Sequence, residues 1–447
     1  MRFFHAQFYK NLIWIYLCAA CCFGYHSMLA SIPDHVYLKE GENLTLDCML
    51  PVELEVVAGP QAVMADVSAG TNLTYGENAR AKGTPLGETT IRTIRERAGG
   101  ISCDALSVGE HSVVCYLFGV LPIKEVEVSV VEGRQLYAAG HVVGIYGATQ
   151  GVLVLGSSPV ETVGGAYREP AENLVFAGDY IVAVNGEPIQ EKEELTGMVE
   201  EFGDKPLTLS LWRGDELIEV SVRAVSVSKE EEDGTGYMLG LWVKDDMAGI
   251  GTLTYYDEQG SFGALGHGIG DGETGSLLRI ERGALYEAEI LGIQKGKRGT
   301  PGELQGVVYY GKENQIGEVA SNTDIGIYGT LDEARRQEYS KESDIYQVGY
   351  KQDVVPGDAV ILSDASGEVC TYHIVIDSLD YAPADRNKGI RFHVDDSSLL
   401  DLTGGIVQGL SGSPIIQNGR LVGAVTHVLV NEPTQGYGIF IENMLEH

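Results

Sequence analysis

The sequence is poor in basic residues. Its 447 residues include 31 Lys and Arg against 64 Asp and Glu, which gives a formal net charge of −33 at pH 7. Such an acidic surface repels phosphate groups, so we exclude nucleic acid and anionic membrane surfaces as partners of the folded body. Hydrophobic residues make up 44% of the chain, which excludes a largely disordered protein. At the usual domain size, this length predicts about two to four domains.

Cysteine spacing typical of a metal site is also lacking, and we predict neither a metal ion nor another cofactor. The cysteines are Cys18, Cys21, Cys22, Cys48, Cys103, Cys115 and Cys370. In an oxidising compartment, one disulfide could join two of Cys48, Cys103 and Cys115 and leave the third unpaired. Buried, unpaired cysteines are an equally good interpretation of these three positions.

Regular helical periodicity is scarce. The 58 glycines, 23 tyrosines and many short Val, Ile and Thr runs between Gly, Asp and Asn clusters predict strands joined by turns, so the fold class is mainly β. We predict a helix at 191–201 and find helical periodicity again around 331–342. Residues 31–133 alternate apolar and polar positions without a chemical motif, which predicts a small β-rich N-terminal domain.

The first 30 residues differ from the rest of the chain. Arg2 and Lys10 precede an uncharged apolar run, Leu12–Phe23, and small residues follow around Ser27–Ser31. This order is typical of an export signal or a short membrane anchor. The run is shorter than the ~20 residues that span a bilayer comfortably. We therefore predict an exported protein, secreted or tethered to the membrane through residues 1–30, and leave cleavage of this segment open.

Residues 134–225 have the order of elements of a peptide-binding module. A glycine-bounded apolar run at 144–156 is followed by FAGDYIVAVNGEPI (176–189), the predicted helix and a strand pair. The second stretch resembles the signature AGD.I..VNG..I of bacterial PDZ domains. This resemblance implies a loop whose backbone N–H groups bind a peptide carboxylate, beside a strand edge that accepts the peptide. The loop consists of Gln150, Gly151, Val152 and Leu153. An unrelated α+β module with an Asn-Gly hairpin is the alternative.

The segment that follows is polar and rich in charge. Residues 226–236 (SVSKEEEDGTG) therefore predict a linker. Beyond it, residues 237–447 contain short strands separated by Gly-rich turns. Such spacing predicts an all-β barrel or sandwich.

One hydroxyl stands among small residues in the stretch GIVQGLSGSPI (405–415). A nucleophilic serine needs an exposed hydroxyl on a constrained turn, a base within reach and backbone N–H groups directed at the developing oxyanion. Glycines on both sides of Ser411 permit such a turn, and the amides of Gly409 and Ser411 could form the oxyanion hole. A purely structural turn would use the same residues, and Ser413 offers a second hydroxyl.

The candidate base is His267, in FGALGHGIGD (262–271). Histidine is the usual general base near neutral pH, and the glycines on both sides of His267 leave its ring uncovered. His373, His393 and His427 are rival candidates.

An acid that orients the imidazole is also required. Asp395 and Asp396 follow a predicted strand, and since successive strand residues point to opposite faces, only one of them can face the site. By spacing alone, Asp377, Asp380 or Asp401 would also serve.

Three stretches carry a resemblance to known peptidases. GLSGSP is similar to the G-x-S-G-G-P motif of chymotrypsin-like serine peptidases, with Ser413 in place of the second glycine. FGALGHGI, LGLWVKDDMAGIGTLTYYD and GGIVQGLSGSP together resemble the stage IV sporulation protein B peptidases of endospore-forming bacteria. This resemblance implies a PDZ domain followed by a chymotrypsin-like double β-barrel over 237–447. It also implies a catalytic triad of His267, Asp396 and Ser411, with Asp395 left open as the alternative acid.

Such a peptidase is implied to be exported from the forespore to the space between the two spore membranes. Its implied substrates are itself and a membrane-bound regulator, whose cleavage leads to activation of a late mother-cell sigma factor. A peptide ligand of the PDZ domain would be a further partner. Two alternatives are a PDZ-containing scaffold protein with an inactive barrel, and a metal hydrolase that uses His267 and Asp271.

Overall fold

The structure is a computed structural model. It describes residues 24–26, 29, 32–39, 44–47, 52–57, 91–92, 100–103, 109–131, 133–228 and 235–447. The apolar run Leu12–Phe23 and the cysteine Cys48 lie outside these residues, so the export segment and the disulfide stay predictions. Within the described ranges, no helix combines the length and the apolar character needed to cross a bilayer.

Strands of the N-terminal part form a five-stranded sheet in the order β1-β7-β6-β3-β4 and a separate pair, β2 with β5. Their bounds are β1 His35–Lys39, β2 Leu44–Asp47, β3 Val52–Val57, β4 Ile91–Arg92, β5 Gly100–Cys103, β6 Gly109–Leu117 and β7 Leu121–Val131. Strand β1 is parallel to β7, and the other neighbours are antiparallel. Alternate residues such as Val126 and Val128 are buried, because successive side chains of a strand point to opposite faces.

An α+β unit follows. Its helix α1, Lys192–Phe202, confirms the helix predicted at 191–201. The backbone N–H of Glu191 donates to the Glu194 carboxylate at 3.0 Å, and Gly203, with a φ of 59°, ends the helix. The strands of this part are β8 Gln135–Ala138, β9 Val142–Ser157, β10 Val160–Glu161, β11 Tyr167–Arg168, β12 Tyr180–Val184, β13 Glu187–Pro188, β14 Pro206–Arg213, β15 Glu216–Arg223, β16 Val225–Ser228 and β17 Thr235–Met238.

The C-terminal region is built mainly of antiparallel strands. These are β18 Leu241–Tyr256, β19 Ser261–Ala264, β20 Ile280–Gln294, β21 Glu303–Val308, β22 Gln315–Thr323, β23 Gly326–Leu331, β24 Ile345–Val348, β25 Gly357–Ser363, β26 Cys370–Leu379, β27 Ile390–Val394, β28 Pro414–Gln417, β29 Arg420–Val428 and β30 Gln435–Phe440. Its α-helices are α2 Glu333–Tyr339, α3 Ser397–Thr403 and α4 Ile441–Met444, and its 3₁₀ turns are Lys312–Asn314, Lys351–Asp353 and Arg386–Lys388. The prediction of a mainly β chain is thereby confirmed for the described residues.

Two long strands join the α+β unit to the C-terminal region. The first half of β9 pairs with β18 and β20, and its second half pairs with β12 and with the start of β18. Strand β8 pairs with β24. Residues 135–149 thus pair with strands of the C-terminal region, which differs from the boundary predicted at 134. The physical reason is that β9 and β18 each run unbroken through both units.

The predicted linker at 226–236 also differs from the structure at its ends. Strand β16 pairs with β17 in an antiparallel ladder from Val225 opposite Met238 to Ser228 opposite Thr235. Residues 229–234 lie outside the described residues.

Two of the hydrophobic cores of the C-terminal region border the candidate site. One contains Ile145, Leu253, Phe262, Leu285 and Ile327, from strands between β9 and β23. The other draws mainly on β25 to β30 and contains Ile361, Ile374, Phe392, Ile415 and Phe440. Each core closes one side of a cleft, which holds the candidate site.

Candidate active site

The turn that carries Ser411 lies between the buried Leu410 and strand β28. Gly409 and Gly412 have φ angles of +98° and +97°, in a region that favours glycine. A Cβ atom on Gly412 would lie 2.1 Å from the carbonyl oxygen of Thr252. Alanine at this position could not be accommodated without moving the turn, which explains the glycine after Ser411.

Of the two serines in this turn, Ser411 presents its hydroxyl to the cleft. Ser411 lines a cleft with a volume of ≈ 420 Å³, whereas Ser413 has an exposed fraction of 0%. The Oγ atom of Ser411 donates a hydrogen bond to the carbonyl oxygen of Thr426 at 2.9 Å. Because an attacking oxygen must reach the substrate, Ser411 is the better placed nucleophile.

Two backbone amides beside Ser411 are available to a ligand. The N–H groups of Leu410 and Gly412 donate to backbone carbonyl oxygens. Those of Gly409 and Ser411 donate to no acceptor in the part of the chain that the structure describes. Unengaged backbone amides next to a nucleophile are suited to stabilise an oxyanion.

Backbone strain marks the turn before His267. Leu265 is buried and has a φ of 68°, and Gly266 has a φ of 69°. A non-glycine residue in this region costs ~1–3 kcal/mol, and such strain concentrates at functional sites. The turn follows β19 and places the ring of His267 in the same cleft as Ser411.

The carbonyl oxygen of Gly268 lies 2.9 Å from Nδ1 of His267. An acceptor at this distance holds the proton on Nδ1 and leaves Nε2 unprotonated, which is the tautomer that a general base requires. Burial lowers the pKa of His267 from its ordinary value of 6.5, and the Gly268 carbonyl opposes this effect. The imidazole is therefore neutral at pH 7 and can accept a proton.

Thr252, on β18, connects the nucleophile turn to the base turn. Its N–H donates to the carbonyl oxygen of Ser411 at 3.0 Å, and its Oγ1 donates to that of Gly409 at 2.7 Å. Its own carbonyl oxygen accepts a hydrogen bond from the N–H of Leu265 at 3.2 Å. Thr252 has an exposed fraction of 0%. Thr252 was not predicted from the sequence, because its only signal is its position in LGLWVKDDMAGIGTLTYYD.

Both cores contribute to the walls of the cleft. On the side of the first core and the base turn, the lining residues are Ile145, Gly249, Leu265, His267, Gly268, Ile269 and Gly270. On the side of the second core and the nucleophile turn, they are Ile250, Ile406, Val407, Gln408, Gly409, Ser411, Thr426, His427 and Val428. Ser411 and His267 thus lie in a cleft that residues of both cores line.

The structure does not bring Asp396 to His267. The Asp396 carboxylate caps helix α3 by accepting hydrogen bonds from the N–H groups of Ser398 and Leu399, and it also accepts one from the N–H of His373. Burial would raise the pKa of Asp396, but the Ser398 hydroxyl and these backbone amides lower it overall. The acid implied by the family resemblance thus holds a helix terminus in this structure.

Asp395 is no better placed as an orienting acid. Its side chain is 68% exposed and lies 3.9 Å from Nδ1 of His373. Helix α3 was not predicted from the sequence. Its signals were Asp396 at the N-cap and Gly404, with a φ of 77°, at the C-terminal end.

Asp396→Asn separates a helix cap from a catalytic acid. Asparagine is as good an N-cap as aspartate, so we expect kcat within a few-fold of wild type. Loss of a triad acid by the same substitution would lower kcat by about 10⁴-fold. Steady-state kinetics on a peptide substrate measure the difference. As a control, Asp396→Ala should lower the free energy of unfolding by ~0.5–2 kcal/mol, because it removes the cap.

Of the three rival histidines, two lie outside the cleft and one lines it. His373 lies 3.6 Å from Asp358, and His393 lies 2.8 Å from Asp377; neither of these histidines lines the cleft. His427 does line it, beside His267.

The alternative metal site at His267 and Asp271 lacks support. Lys244 forms an ion pair with the Asp271 carboxylate, which also accepts hydrogen bonds from the N–H groups of Glu273 and Thr274. Burial would raise the pKa of Asp271, but Lys244 and these amides lower it to about 2. No group of three or more metal-binding side chains occurs among the described residues.

The predicted carboxylate-binding loop, Gln150, Gly151, Val152 and Leu153, is part of paired strands. Leu153 pairs with β12 on one side and with β18 on the other. The N–H of Gly151 faces the side-chain oxygen of Gln190 at 3.3 Å. The strand edge assigned to a peptide is therefore occupied by the chain's own residues 241–244, which corrects the predicted binding mode.

Comparison with known protein families gives a match over most of the C-terminal region. Residues 235–445 match the model of a family described as SpoIVB peptidase S55. The matched range contains the base turn, the nucleophile turn and both walls of the cleft except Ile145. No curated protein matches the chain.

Proposed function

The chain belongs, through residues 235–445, to the SpoIVB peptidase family S55, a family of sporulation serine peptidases, and we propose that it is an endopeptidase. We assign Ser411 as the nucleophile and His267 as the general base. One observation carries this assignment: both side chains line one cleft, and Thr252 ties their two turns together. We interpret the two cores as the two barrels of a chymotrypsin-like domain.

The proposed reaction begins with attack of the Ser411 Oγ atom on a peptide carbonyl carbon. Its proton passes to Nε2 of His267, and the amides of Gly409 and Ser411 stabilise the oxyanion. His267 then gives the proton to the leaving amine as the C–N bond breaks. Water then attacks the acyl carbon and gives a proton to His267, and this proton returns to Ser411 Oγ as the ester bond breaks and the acid leaves.

In the free enzyme, the Ser411 hydroxyl donates a hydrogen bond to the Thr426 carbonyl oxygen. A substrate lying along the end of β29 offers its own backbone N–H to this carbonyl. Competition for one acceptor would release the Ser411 hydroxyl to His267. Catalytic hydrogen bonds often form only in the substrate complex, so the free geometry is compatible with the proposed role.

The proposed setting is the space between the two membranes around the forespore. The enzyme is exported there, secreted or tethered through residues 1–30, and cleaves itself and a membrane-bound regulator. This cleavage leads to activation of a late mother-cell sigma factor. The family match supports a sporulation peptidase, and the regulator and the self-cleavage are our proposal.

We further propose that the α+β unit is a PDZ domain inserted between β9 and β18, which takes a peptide ligand and holds the enzyme in check or presents it to its target. The continuity of β18 supports such a link. The strand starts at Leu241 in the ladder with the α+β unit and reaches Thr252 at the nucleophile turn. A movement of the first half of β18 would therefore be transmitted along its backbone to the site.

A serine-directed fluorophosphonate tests the proposed activity. We expect covalent labelling of the full-length protein at Ser411, located by peptide mass spectrometry. The protein should also fragment during incubation after purification. An inactive scaffold protein would show neither labelling nor fragmentation, and fragmentation abolished by a chelator would favour a metal hydrolase.

The pH profile should reflect the low pKa of His267. A general base must be unprotonated, and activity is lost as pH falls through its pKa. Because burial lowers that pKa from 6.5, we expect the acidic limb of kcat/KM to lie below pH 6.5. Initial rates on a peptide substrate between about pH 4 and 8 measure this limb. A limb above pH 6.5 would contradict the assigned environment of the base.

A further inference from the structure

The tip of the hairpin between β6 and β7 is apolar and exposed. Phe118, Val120 and Leu121 have exposed fractions of 63%, 81% and 55%. The stretch SVVCYLFGVLPI (112–123), which includes this tip, contains no charged residue. Large apolar side chains that are exposed together mark an interaction site, whereas single ones need no explanation. The tip therefore presents an apolar surface to a partner.

The backbone at Phe118 makes an aromatic residue unexpected there. Its φ of 54° lies in the left-handed region, where glycine, asparagine and aspartate are the usual residues. The core of the N-terminal sheet includes Val113, Val126 and Val128, and Phe118 does not belong to it. A strained aromatic side chain that does not pack into the core points to a role outside the fold.

The predicted membrane tether reaches the sheet at the end that carries the tip. Nζ of Lys124, three residues beyond Leu121, donates to the carbonyl oxygens of Leu29 and Ile32. The apolar run of the sequence ends at Phe23, six residues before Leu29, and six residues span at most about 20 Å. A bilayer that holds this run therefore lies within reach of the tip.

We propose that the hairpin tip, Phe118–Leu121, inserts into the lipid bilayer beside the tether and gives the N-terminal sheet a second membrane contact. This inference rests on the predicted tether, residues 1–30, and not on the catalytic assignment. Two contacts restrict how the sheet can turn relative to the bilayer, which a single flexible tether does not. The N-terminal β-rich part, whose sequence carries no chemical motif, thus orients the protein at the membrane.

Charged side chains around the tip keep this contact shallow. The Glu53 carboxylate of β3 lies against Gly119, and Lys124 pairs with Asp34 at 2.9 Å. Amphipathic helices bury their apolar face ~5–10 Å deep in a bilayer, and we expect a similar depth for the tip. The formal net charge of −33 disfavours anionic lipid. The tip itself is uncharged, however, and the tether already holds it beside the bilayer.

Tryptophan emission tests the contact in the full-length protein, reconstituted into phosphatidylcholine vesicles. Bromine on the acyl chains quenches a tryptophan only when the indole ring reaches those chains. Trp14 lies in the apolar run, so Trp14→Phe is the common background, in which Val120→Trp reports on the tip. Glu127→Trp is the matched control, because Glu127 is exposed on the same strand, six residues or about 20 Å beyond Leu121.

We expect brominated lipid to remove most of the emission that Val120→Trp adds to the background protein. The emission that Glu127→Trp adds should be the same in brominated and unbrominated vesicles. Phe118→Asp, combined with Val120→Trp, should abolish the quenching, because a carboxylate is costly to bring among acyl chains. Aspartate is well tolerated at the φ of Phe118, so we expect this variant to fold, and thermal unfolding measures whether it does.

Equal emission of Val120→Trp in the two kinds of vesicle would overturn the proposal, whether or not Trp14 of the wild type is quenched. Quenching of Glu127→Trp to the same extent would also overturn it, since the whole strand would then contact lipid. If the tip is not quenched and Phe118→Asp converts a dimer into a monomer in light scattering, the tip binds a second copy of the chain instead. Fluorophosphonate labelling of Ser411 is measured separately, and its absence would contradict the peptidase function without affecting this inference.

Discussion

Replacing Ser411 with alanine should abolish peptide hydrolysis. The substitution removes the attacking oxygen, and the oxyanion hole and the binding cleft then retain only a small residual acceleration. Removal of a catalytic serine in a comparable peptidase lowers kcat by about 2 × 10⁶-fold, and we expect a loss on the order of 10⁶-fold here. The measurements are kcat on a peptide substrate and the rate of self-fragmentation of the purified protein.

Ser413→Ala is the matched control, two residues away in the same turn. Ser413 is fully buried, and its Oγ atom has no hydrogen-bond partner among the described residues. Removing an unsatisfied buried hydroxyl should leave kcat unchanged. The free energy of unfolding should stay the same or rise by about 1 kcal/mol. Equal losses of activity in both variants would show that the turn, and not the Ser411 hydroxyl, determines the result.

Elements with a strong local signal were predicted correctly. Helix α1 has charged and apolar residues at helical spacing, and its predicted bounds differ from Lys192–Phe202 by one residue. The dipeptide Asn418-Gly419, which is typical of a hairpin turn, connects β28 to β29 with φ angles of 50° and 73°. In both cases, the residues that determine the element are adjacent in the sequence.

Elements that depend on distant pairing were not predicted. The halves of β9 pair with different partners, and the sequence of one strand does not reveal where its partners change. For this reason the sequence did not show that Leu241–Lys244 pairs with the strand that contains the predicted peptide-binding loop. Thr252 was not predicted, and His427 was left open as a rival base. Only the folded chain brings β18 and the end of β29 to the two turns.

The family resemblance implied Asp396 as the acid of the triad, whereas the structure places its carboxylate at a helix terminus. The resemblance identifies the position but not the direction of the carboxylate. In the structure this carboxylate caps α3, a helix of seven residues that is too short to give a periodic signal. His267 instead faces a backbone carbonyl and a second histidine. The nucleophile and the base are recognisable from short glycine-bounded turns, whereas their support depends on the tertiary structure.

Breaking the ion pair between Lys351 and Glu442 should strongly destabilise the C-terminal region. Glu442, in helix α4, has an exposed fraction of 1%; one of its oxygens lies 3.0 Å from Nζ of Lys351, and the other accepts the N–H of Lys351 at 2.8 Å. Burial raises the pKa of Glu442, and Lys351 opposes this effect. Lys351→Met leaves the carboxylate buried without its cation, and such a change costs about 3–5 kcal/mol.

A double variant separates the pair from the loss of packing. Lys351→Met combined with Glu442→Leu removes both charges, so no unpaired carboxylate remains, and we expect most of the lost free energy of unfolding to return. Urea titrations of wild type, both single variants and the double variant measure the coupling. If the single Lys351→Met variant unfolds at the wild-type urea concentration, the ion pair does not stabilise α4. Because α4 directly follows β30, which pairs with the strand that carries Thr426, a destabilised pair should also lower the fraction of folded, active protein.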